Sequence, residues 1–370
     1  MRHAAYVYDR GGKKRIALIE DITSLSWGRV ADDISFGDVV LSNPGPGCRQ
    51  MLASIEAGRH EMVIFRDGTR VWEGPITLIT YERERVSIQA RDVMHYAYRL
   101  ALSQPYNNAY PNVTYGTTRV MNILSTELSR RELEDPPINV VPYLTALTRP
   151  DDARTSRSTI KYQKTAFDDV DDMAANSGVD YVTVGRSIIV HDVDTMLGRT
   201  PTLTENDIVG DIIVTMYGME LATFAVVTGA EGQYGTAGGP DPYYGSIEVV
   251  DDAYDEEEGT DAPTQAELES QAVRNLSGRN PTPVEVRVPE GSRLNPNSPI
   301  ALEDLVPGVL VPLRATLTAR TFSQMQKLRE VKVTEDQAGE QIAITLVPAP
   351  SNWHLEATRR IGPWDGGEPL

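Results

Sequence analysis

The sequence predicts a mainly β protein with an α/β insert, built of two β-barrel-like domains and a small α/β domain. Three observations carry this reading. Residues 1–100 consist of short apolar segments broken by turn residues, a helical stripe and a capped helix lie between 101 and 200, and alternating segments return from 212 onward. The expected organisation is an N-terminal β-barrel domain at 1–100, the α/β domain at 101–200, a second β-barrel domain at 201–350 and a C-terminal tail at 351–370.

In the first region, Lys14-Arg15-Ile16-Ala17-Leu18-Ile19 and Val39-Val40-Leu41 read as strands, and Asn43-Pro44-Gly45-Pro46-Gly47 is expected to break the chain after the second of them. Met62–Phe65 and Val71-Trp72 flank Asp67-Gly68, a pair that accepts the positive φ angles of a tight hairpin turn. Ile76–Thr80 and Val86–Ala90 form a second pair around the charged turn Glu82-Arg83-Glu84-Arg85. Short strands at this spacing suggest a barrel or a sandwich.

The second region opens with Val120, Ile123, Leu124 and Leu128, which fall on one helical face ahead of Pro136-Pro137. Thr165 and Asp168 read as an N-terminal capping pair for a helix carrying Phe167, Val170 and Ala174, with Gly178 as its stop. Tyr181–Val184 and Ser187–Val190 then flank Gly185-Arg186 as strands.

In the third region, Ile212–Met216 and Ala222–Val227 read as strands. Residues 229–262, with Gly229, Gly232, Gly235, Gly238-Gly239-Pro240 and the acidic run Asp251 to Asp261, are expected to form a long loop that is either functional or disordered. A helix over 264–277 closes it, with Thr264 and Glu267 matching a capping box, Leu268, Ala272 and Leu276 at helical spacing, and Gly278 as the stop. Val284–Val288, Val309–Val311, Val331–Val333 and Ile342–Leu346 are the remaining strands.

Composition narrows the function classes. With 35 basic against 53 acidic residues the formal net charge is −18, which opposes attraction to a phosphate backbone, so no specific nucleic-acid binding is expected. The single cysteine, Cys48, cannot form an intramolecular disulfide, which fits synthesis in a bacterial cytoplasm. The start Met1–Tyr6 has no apolar core of a signal peptide, and no stretch approaches the ~20 apolar residues of a membrane span.

A search for chemistry finds no catalytic, cofactor or metal site. The Gly-x-Ser-x-Gly elbow of a serine hydrolase is absent. His60-Glu61 begins a metalloprotease motif, but Ile64 stands where the second histidine belongs. Gly12-Lys13 resembles part of a phosphate loop, yet Lys14 occupies the magnesium-binding hydroxyl position. His191-Asp192-Val193-Asp194 alternates across a strand and does not converge, and the run Asp251–Glu258 lacks the spaced ligands of a calcium loop. Asn112-Val113-Thr114 and Asn275-Leu276-Ser277 match glycosylation sequons that carry no weight without a secretory signal. Tyr234, Tyr243 and Tyr244 remain as candidate partner contacts, because tyrosine offers a large contact area with little entropy to lose.

The order barrel, α/β insert, second β domain with a capped helix resembles the hub proteins of bacteriophage tail tips and baseplates. Trp72-Glu73-Gly74-Pro75-Ile76, Gln89-Ala90-Arg91-Asp92, the Thr264-to-Leu276 helix leading into Val284–Val288, and Leu305-Val306-Pro307-Gly308 resemble segments of minor tail proteins from phages of actinobacteria. The resemblance implies a homotrimer whose paired barrels form a pseudo-sixfold ring, placed at the tail tip of the virion. Its implied neighbours are a distal tail protein, a tape measure protein and central fibre or spike proteins, and it implies no catalytic residue. Some relatives carry a peptidase or lysozyme-like extension, for which the residues after Trp353 and Trp364 are expected to leave no room. Two other classes stand beside this one: an enzyme degrading cell-wall glycan or peptide, and a receptor-binding protein of the tail surface.

Overall fold

The computed structural model describes residues 2–109, 112–131, 133–134, 137–138, 141–149, 154–210, 212–229, 232–252, 265–277, 279–280, 282–287, 293–317 and 320–349. The tail 351–370 with Trp353 and Trp364, the acidic run from residue 253 onward, and the capping positions Thr264 and Gly278 lie outside the described residues. The longer elements of the first half are β1 (His3–Tyr8), β2 (Arg15–Ile19), β3 (Ile22–Val30), β4 (Phe36–Ser42), α1 (Pro46–Leu52), β5 (Glu61–Arg66), β6 (Thr69–Tyr81), β7 (Arg85–Arg91), α2 (His95–Tyr98), α3 (Gly116–Ser129), β8 (Tyr143–Leu147), α4 (Ala166–Asn176), β9 (Val179–Val184) and β10 (Ser187–Asp192). The second half adds β11 (Phe224–Thr228), β12 (Tyr234–Gly238), β13 (Glu248–Asp252), α5 (Gln265–Ser277), β14 (Leu310–Leu317), β15 (Arg320–Asp336) and β16 (Gly339–Pro348). The protein is mainly β, with several sheets.

Two compact units divide the chain. The first comprises Met1–Leu197, Leu305–Gly308 and Arg329–Ile344, and the second Gly198–Asp304, Val309–Leu328 and Thr345–Leu370.

The first unit is built on a sheet in the order β15-β3-β4-β7-β6-β5-β1-β2, to which β15 contributes its last residues. Alternation sets its inner face: Ala5, Val7, Trp27, Val39, Leu41, Met62, Ile64, Ile88 and Val333 are all fully buried. The Asp67-Gly68 turn has φ angles of 49° and 84°, the double positive-φ geometry that its residues allow, and it joins β5 to β6. Strand β6 pairs with β5 as far as Pro75 and with β7 from Ile76, so one long strand turns a corner of the sheet at Gly74-Pro75.

Side chains tie the start of β1 to the end of β15. The Glu335 carboxylate accepts the Arg2 N–H at 2.7 Å and the His3 N–H at 2.9 Å, while Trp27 Nε1 donates to His3 Nε2 at 3.1 Å and leaves Nδ1–H to donate to Glu335 at 2.8 Å. Arg66 grips Glu340 of β16 with two bonds of 2.6 and 2.8 Å. Burial opposes the charge of both carboxylates, but these donors outweigh it and hold their pKa values below the usual range.

Where β7 ends, Asp92 is fully buried and accepts the Ser35 N–H at 2.6 Å and the Met94 N–H at 2.9 Å, with Trp72 donating to the Ser35 hydroxyl at 3.1 Å. Burial outweighs these bonds and pushes the Asp92 carboxyl up to about 6. A carboxyl whose pKa is raised by folding stabilises the fold below its unfolded pKa, and that contribution is lost as pH rises through about 6. Relative to an Asp92→Asn variant, the protein is expected to lose roughly 2 kcal/mol of stability between pH 4 and 7. Denaturant midpoints across that range read the loss, and two parallel pH profiles would contradict it.

The rest of the first unit is the α/β portion. Its sheet runs β8-β10-β9, with β8 parallel to β10 and β9 antiparallel to it, and α3 and α4 lie on it. Val120, Ile123, Leu124 and Leu128 are fully buried, as the stripe predicts, although α3 stops at Ser129, well before Pro136-Pro137. The Thr165–Asp168 capping box forms reciprocally, at 3.1 and 3.2 Å, and Gly178 follows α4 at φ 63°. The centre of the buried face of α4 is Ala166, Val170 and Met173, with Phe167 and Ala174 at its margins.

Between the two helices sits a buried ion pair. Arg119 and Asp169 are each fully buried and 2.8 Å apart. The Arg119 guanidinium also donates to Tyr106 O, Asn108 Oδ1, Arg157 O and Thr159 Oγ1 at 2.7–3.0 Å, so one side chain fastens two connecting segments to two helices.

In the second unit, β14 pairs with the first residues of β15, Ile213–Met216 pairs with Val284–Arg287, and β11 lies between an antiparallel β12 and a parallel β13. Helix α5 covers the β11–β12 face, burying Leu268 and Ala272 against Ala225 and Val227. One expectation is corrected here: the stretch 229–262 is not wholly irregular, since β12 and β13 fall inside it. In the first unit the Asn43–Gly47 segment does end β4, at Ser42, and its Pro46 opens α1, where a missing N–H costs nothing.

The glycine content of that stretch serves close packing. A Cβ on Gly235 would stand 2.2 Å from the Leu268 carbonyl carbon and 2.4 Å from the Glu269 nitrogen, so α5 rests directly on the β12 backbone. Gly235→Val is expected to cost about 1–3 kcal/mol by overpacking and to make 229–277 the first site of limited proteolysis. An unchanged digestion pattern would contradict this packing role.

Candidate functional site

The three tyrosines singled out by the sequence do not form one cluster. Tyr243 and Tyr244 sit on the turn between β12 and β13, where Asp241 Oδ1 accepts both of their N–H groups at 2.7 and 2.9 Å and paired backbone bonds join Asp241 to Gly245. Their rings meet edge to face at 4.9 Å, and they are 87% and 50% exposed. Tyr234 stands at the opposite end of β12, ~13 Å along a five-residue strand, with Gln265 of α5 donating to its carbonyl at 3.0 Å. The site is therefore an exposed aromatic pair on a braced turn, with Tyr234 apart from it.

A turn held by its own side chain and backbone presents the two rings with little conformational entropy left to lose on binding. Such a knob suits docking against a partner surface, whereas binding a ligand inside the protein would need concavity.

The other residues weighed for chemistry end in an internal polar centre of the first unit. Glu61 and Glu73 project from the same face of neighbouring strands, because Glu61 is opposite Pro75 and Val63 is opposite Glu73. Both are fully buried. Arg186, on the β9–β10 turn, reaches Glu61 at 2.8 Å and Glu73 at 3.9 Å, while Arg70 holds Glu73 at 2.9 Å and the Gly11 N–H donates to Glu61 at 2.9 Å. The Tyr96 hydroxyl donates to Glu61, and burial pushes that phenol well above its ordinary range. Burial likewise raises the Glu73 carboxyl, against the pull of Arg70 and Arg186.

The cavity beside this centre holds about 120 Å³, room for a few water molecules. Each carboxylate is committed to a guanidinium of the protein itself. Gly12, part of the apparent phosphate-loop fragment, faces Glu73: a Cβ there would lie 2.5 Å from its Oε2, so an acidic group occupies the place a phosphate would need. The arrangement joins the sheet to the α/β portion by charge pairing. Sequence reasoning treated Arg186 as a turn residue and Glu61 as a failed metal motif; their pairing across 125 residues leaves no local signal.

His191 and Asp192 are both buried at the end of β10, and His191 Nδ1 lies 2.9 Å from the Asp192 carbonyl. Among the described residues no group of three or more His, Cys, Asp or Glu side chains is placed to hold a metal ion. Nor is any described helix long and apolar enough to cross a membrane.

Comparison with known proteins locates the fold. No protein-family model matches the sequence, and no curated protein is similar to it in sequence. Solved structures do match, end to end. The 43 kDa tail protein of prophage MuSo2 from Shewanella oneidensis shares 14% identity at a TM-score of 0.58, covering 94% of this chain and 98% of its own. A tail protein from Neisseria meningitidis MC58 shares 11% identity at a TM-score of 0.59, with 95% and 99% covered. The prophage tail protein gp18 from Listeria monocytogenes shares 9% identity at a TM-score of 0.59, with 96% and 97% covered. The E. coli c3393 protein, a type VI secretion component described as structurally similar to the T4 tail proteins gp27 and gp5, matches at a TM-score of 0.51 over 89% of this chain. The chain has the fold of phage tail proteins. At these identities the likeness is one of architecture, and it agrees with the mainly β reading of the sequence.

Proposed function

We propose that this chain is a structural, non-enzymatic component of a bacteriophage tail, acting as the hub of the tail tip that joins the tail tube and its distal ring to a central spike or fibre. The observation that carries this reading is the end-to-end match to three tail proteins, two of them from prophages, covering 94–96% of this chain and 97–99% of theirs. A whole-length match favours the same kind of part in the same kind of machine over a shared module in an unrelated protein. The internal commitment of Glu61 and Glu73 to arginines supports a role without turnover.

The working form in this proposal is a homotrimer. Two β domains per chain, the first completed by residues 329–344 and the second within the rest of 201–350, would let three chains build a six-unit ring. The braced pair Tyr243 and Tyr244 would meet a neighbouring tail protein, with Tyr234 contacting it separately. With a net charge of −18 per chain, association should strengthen as ionic strength rises.

Imaging of an assembled tail with this chain labelled tests the proposal. Threefold density on the tube axis is expected. Six copies around the tube would make the chain a distal-ring or tube protein and overturn the hub reading, and digestion of host cell wall by the purified protein would overturn the non-enzymatic one.

A further inference from the structure

The first unit contains a cavity of about 360 Å³ whose lining includes Ile76, His95, Tyr96, Arg99 and Arg131. Its charged lining has one sign. Arg99 and Arg131 supply two guanidinium groups and His95 an imidazole, and among the described residues no carboxylate lies within ion-pair distance of any of the three. The acid on the far side of Tyr96, Glu61, is already held by Arg186 and by the Tyr96 hydroxyl.

Arg131 is the most constrained of the cations. Its guanidinium stacks 4.3 Å above the Tyr96 ring, and its Nε is buried with no hydrogen-bond partner. Burial lowers its pKa first, with Arg10 and Arg99 adding repulsion that the attraction of Glu61 and Tyr96 offsets only in part. His95 is surrounded in the same way: burial together with Arg99, Arg91 and Arg131 depresses its imidazole to about 4. In a chain where acids outnumber bases 53 to 35, gathering cations around a partly enclosed space with no acid among the described residues paired to them runs against composition. Half-buried charge left uncompensated is costly, and an anion entering the space relieves that cost.

We propose that this cavity is a binding site for a compact oxyanion, a phosphate or a carboxylate, held by Arg131 and Arg99 with His95 as the third donor. Each guanidinium presents parallel N–H donors that match two oxygens of such a group, and the Tyr96 ring covers one face of Arg131. The volume accommodates an anion with its first waters, or the end of an acidic side chain inserted by a neighbouring protein. These two sources share one chemistry.

The test is a titration of the purified full-length chain followed by the His95 imidazole resonances. Three probes serve: inorganic phosphate, acetate, and a short capped polyglutamate peptide. An oxyanion beside His95 raises its pKa, so saturating phosphate or peptide is expected to move the imidazole titration upward from about 4 by roughly one unit or more. Arg99→Gln, at an exposed position that leaves the Tyr96 stack intact, is expected to weaken binding about tenfold, as does Arg131→Met. If Arg131→Met proves unstable, Arg99→Gln alone decides. Tighter binding of the peptide than of acetate identifies an acidic partner as the source, and tighter binding of phosphate a free anion. No shift of His95 with any probe up to about 20 mM, or equal shifts in wild type and Arg99→Gln, overturns the proposal.

Discussion

Arg119→Met is expected to destabilise the first unit by about 3–5 kcal/mol, because it leaves the fully buried Asp169 carboxylate with only the looser ionic contact to Lys164 at 3.9 Å. Methionine fills much of the arginine volume, so the loss would come from charge and hydrogen bonding and only slightly from a void. Four further acceptors lose an Arg119 donor: the carbonyls of Tyr106 and Arg157, Asn108 Oδ1 and Thr159 Oγ1. Adding Asp169→Leu should recover part of the loss, since the pair is replaced by apolar groups. Denaturant midpoints of the single and double variants measure both effects. A single variant within about 1 kcal/mol of wild type would show that the pair is not the fastening described.

The second large effect is expected at Gly74. A Cβ there would lie 1.7 Å from the Arg91 carbonyl oxygen and 2.7 Å from the Asp92 Cα, both backbone atoms that cannot rotate away. Gly74 sits where β6 passes from β5 to β7, so relief would require opening the corner that also positions the buried Asp92. Gly74→Ala should therefore cost more than about 3 kcal/mol and is expected to yield little folded protein. Gly68→Asn is the matched control: its φ of 84° suits asparagine nearly as well, and nothing lies within 4 Å of its Cβ position, so a loss of no more than about 1 kcal/mol is expected. Comparable yields and melting temperatures for the two variants would contradict the corner geometry.

Features whose cause lies within a few residues were legible in the sequence. The Thr165–Asp168 box, the Asp67-Gly68 turn and the Val120–Leu128 stripe each place their partners within one or two turns of chain. Strand β12 was hidden because glycine normally weakens a strand, and Gly235 gives no local sign that a helix will rest on it; β13 was hidden because its last residues, Asp251 and Asp252, open the acidic run. Strand β8 was missed for a different reason: its exposed, nonalternating pattern matters only through the parallel ladder to β10, more than forty residues on. Arg119 and Asp169 would pass for solvated residues on amphipathic helices, since a buried pair is defined by its partner and not by its own neighbours. The exposed tyrosine pair was readable as aromatic, but its separation from Tyr234 depends on the strand between them.

The ladder between β3 and β15 joins Val30 to Glu330 and Leu25 to Glu335, closing a loop of about three hundred residues. During synthesis, then, the β3 edge emerges from the ribosome long before the strand that covers it is made. Until residues 330–335 appear, that edge offers unpaired backbone groups to any other nascent chain. Folding of the first unit must consequently finish after translation of nearly the whole described chain. Chains truncated before residue 329 should accumulate as species that bind chaperones or aggregate, and not as a smaller stable unit.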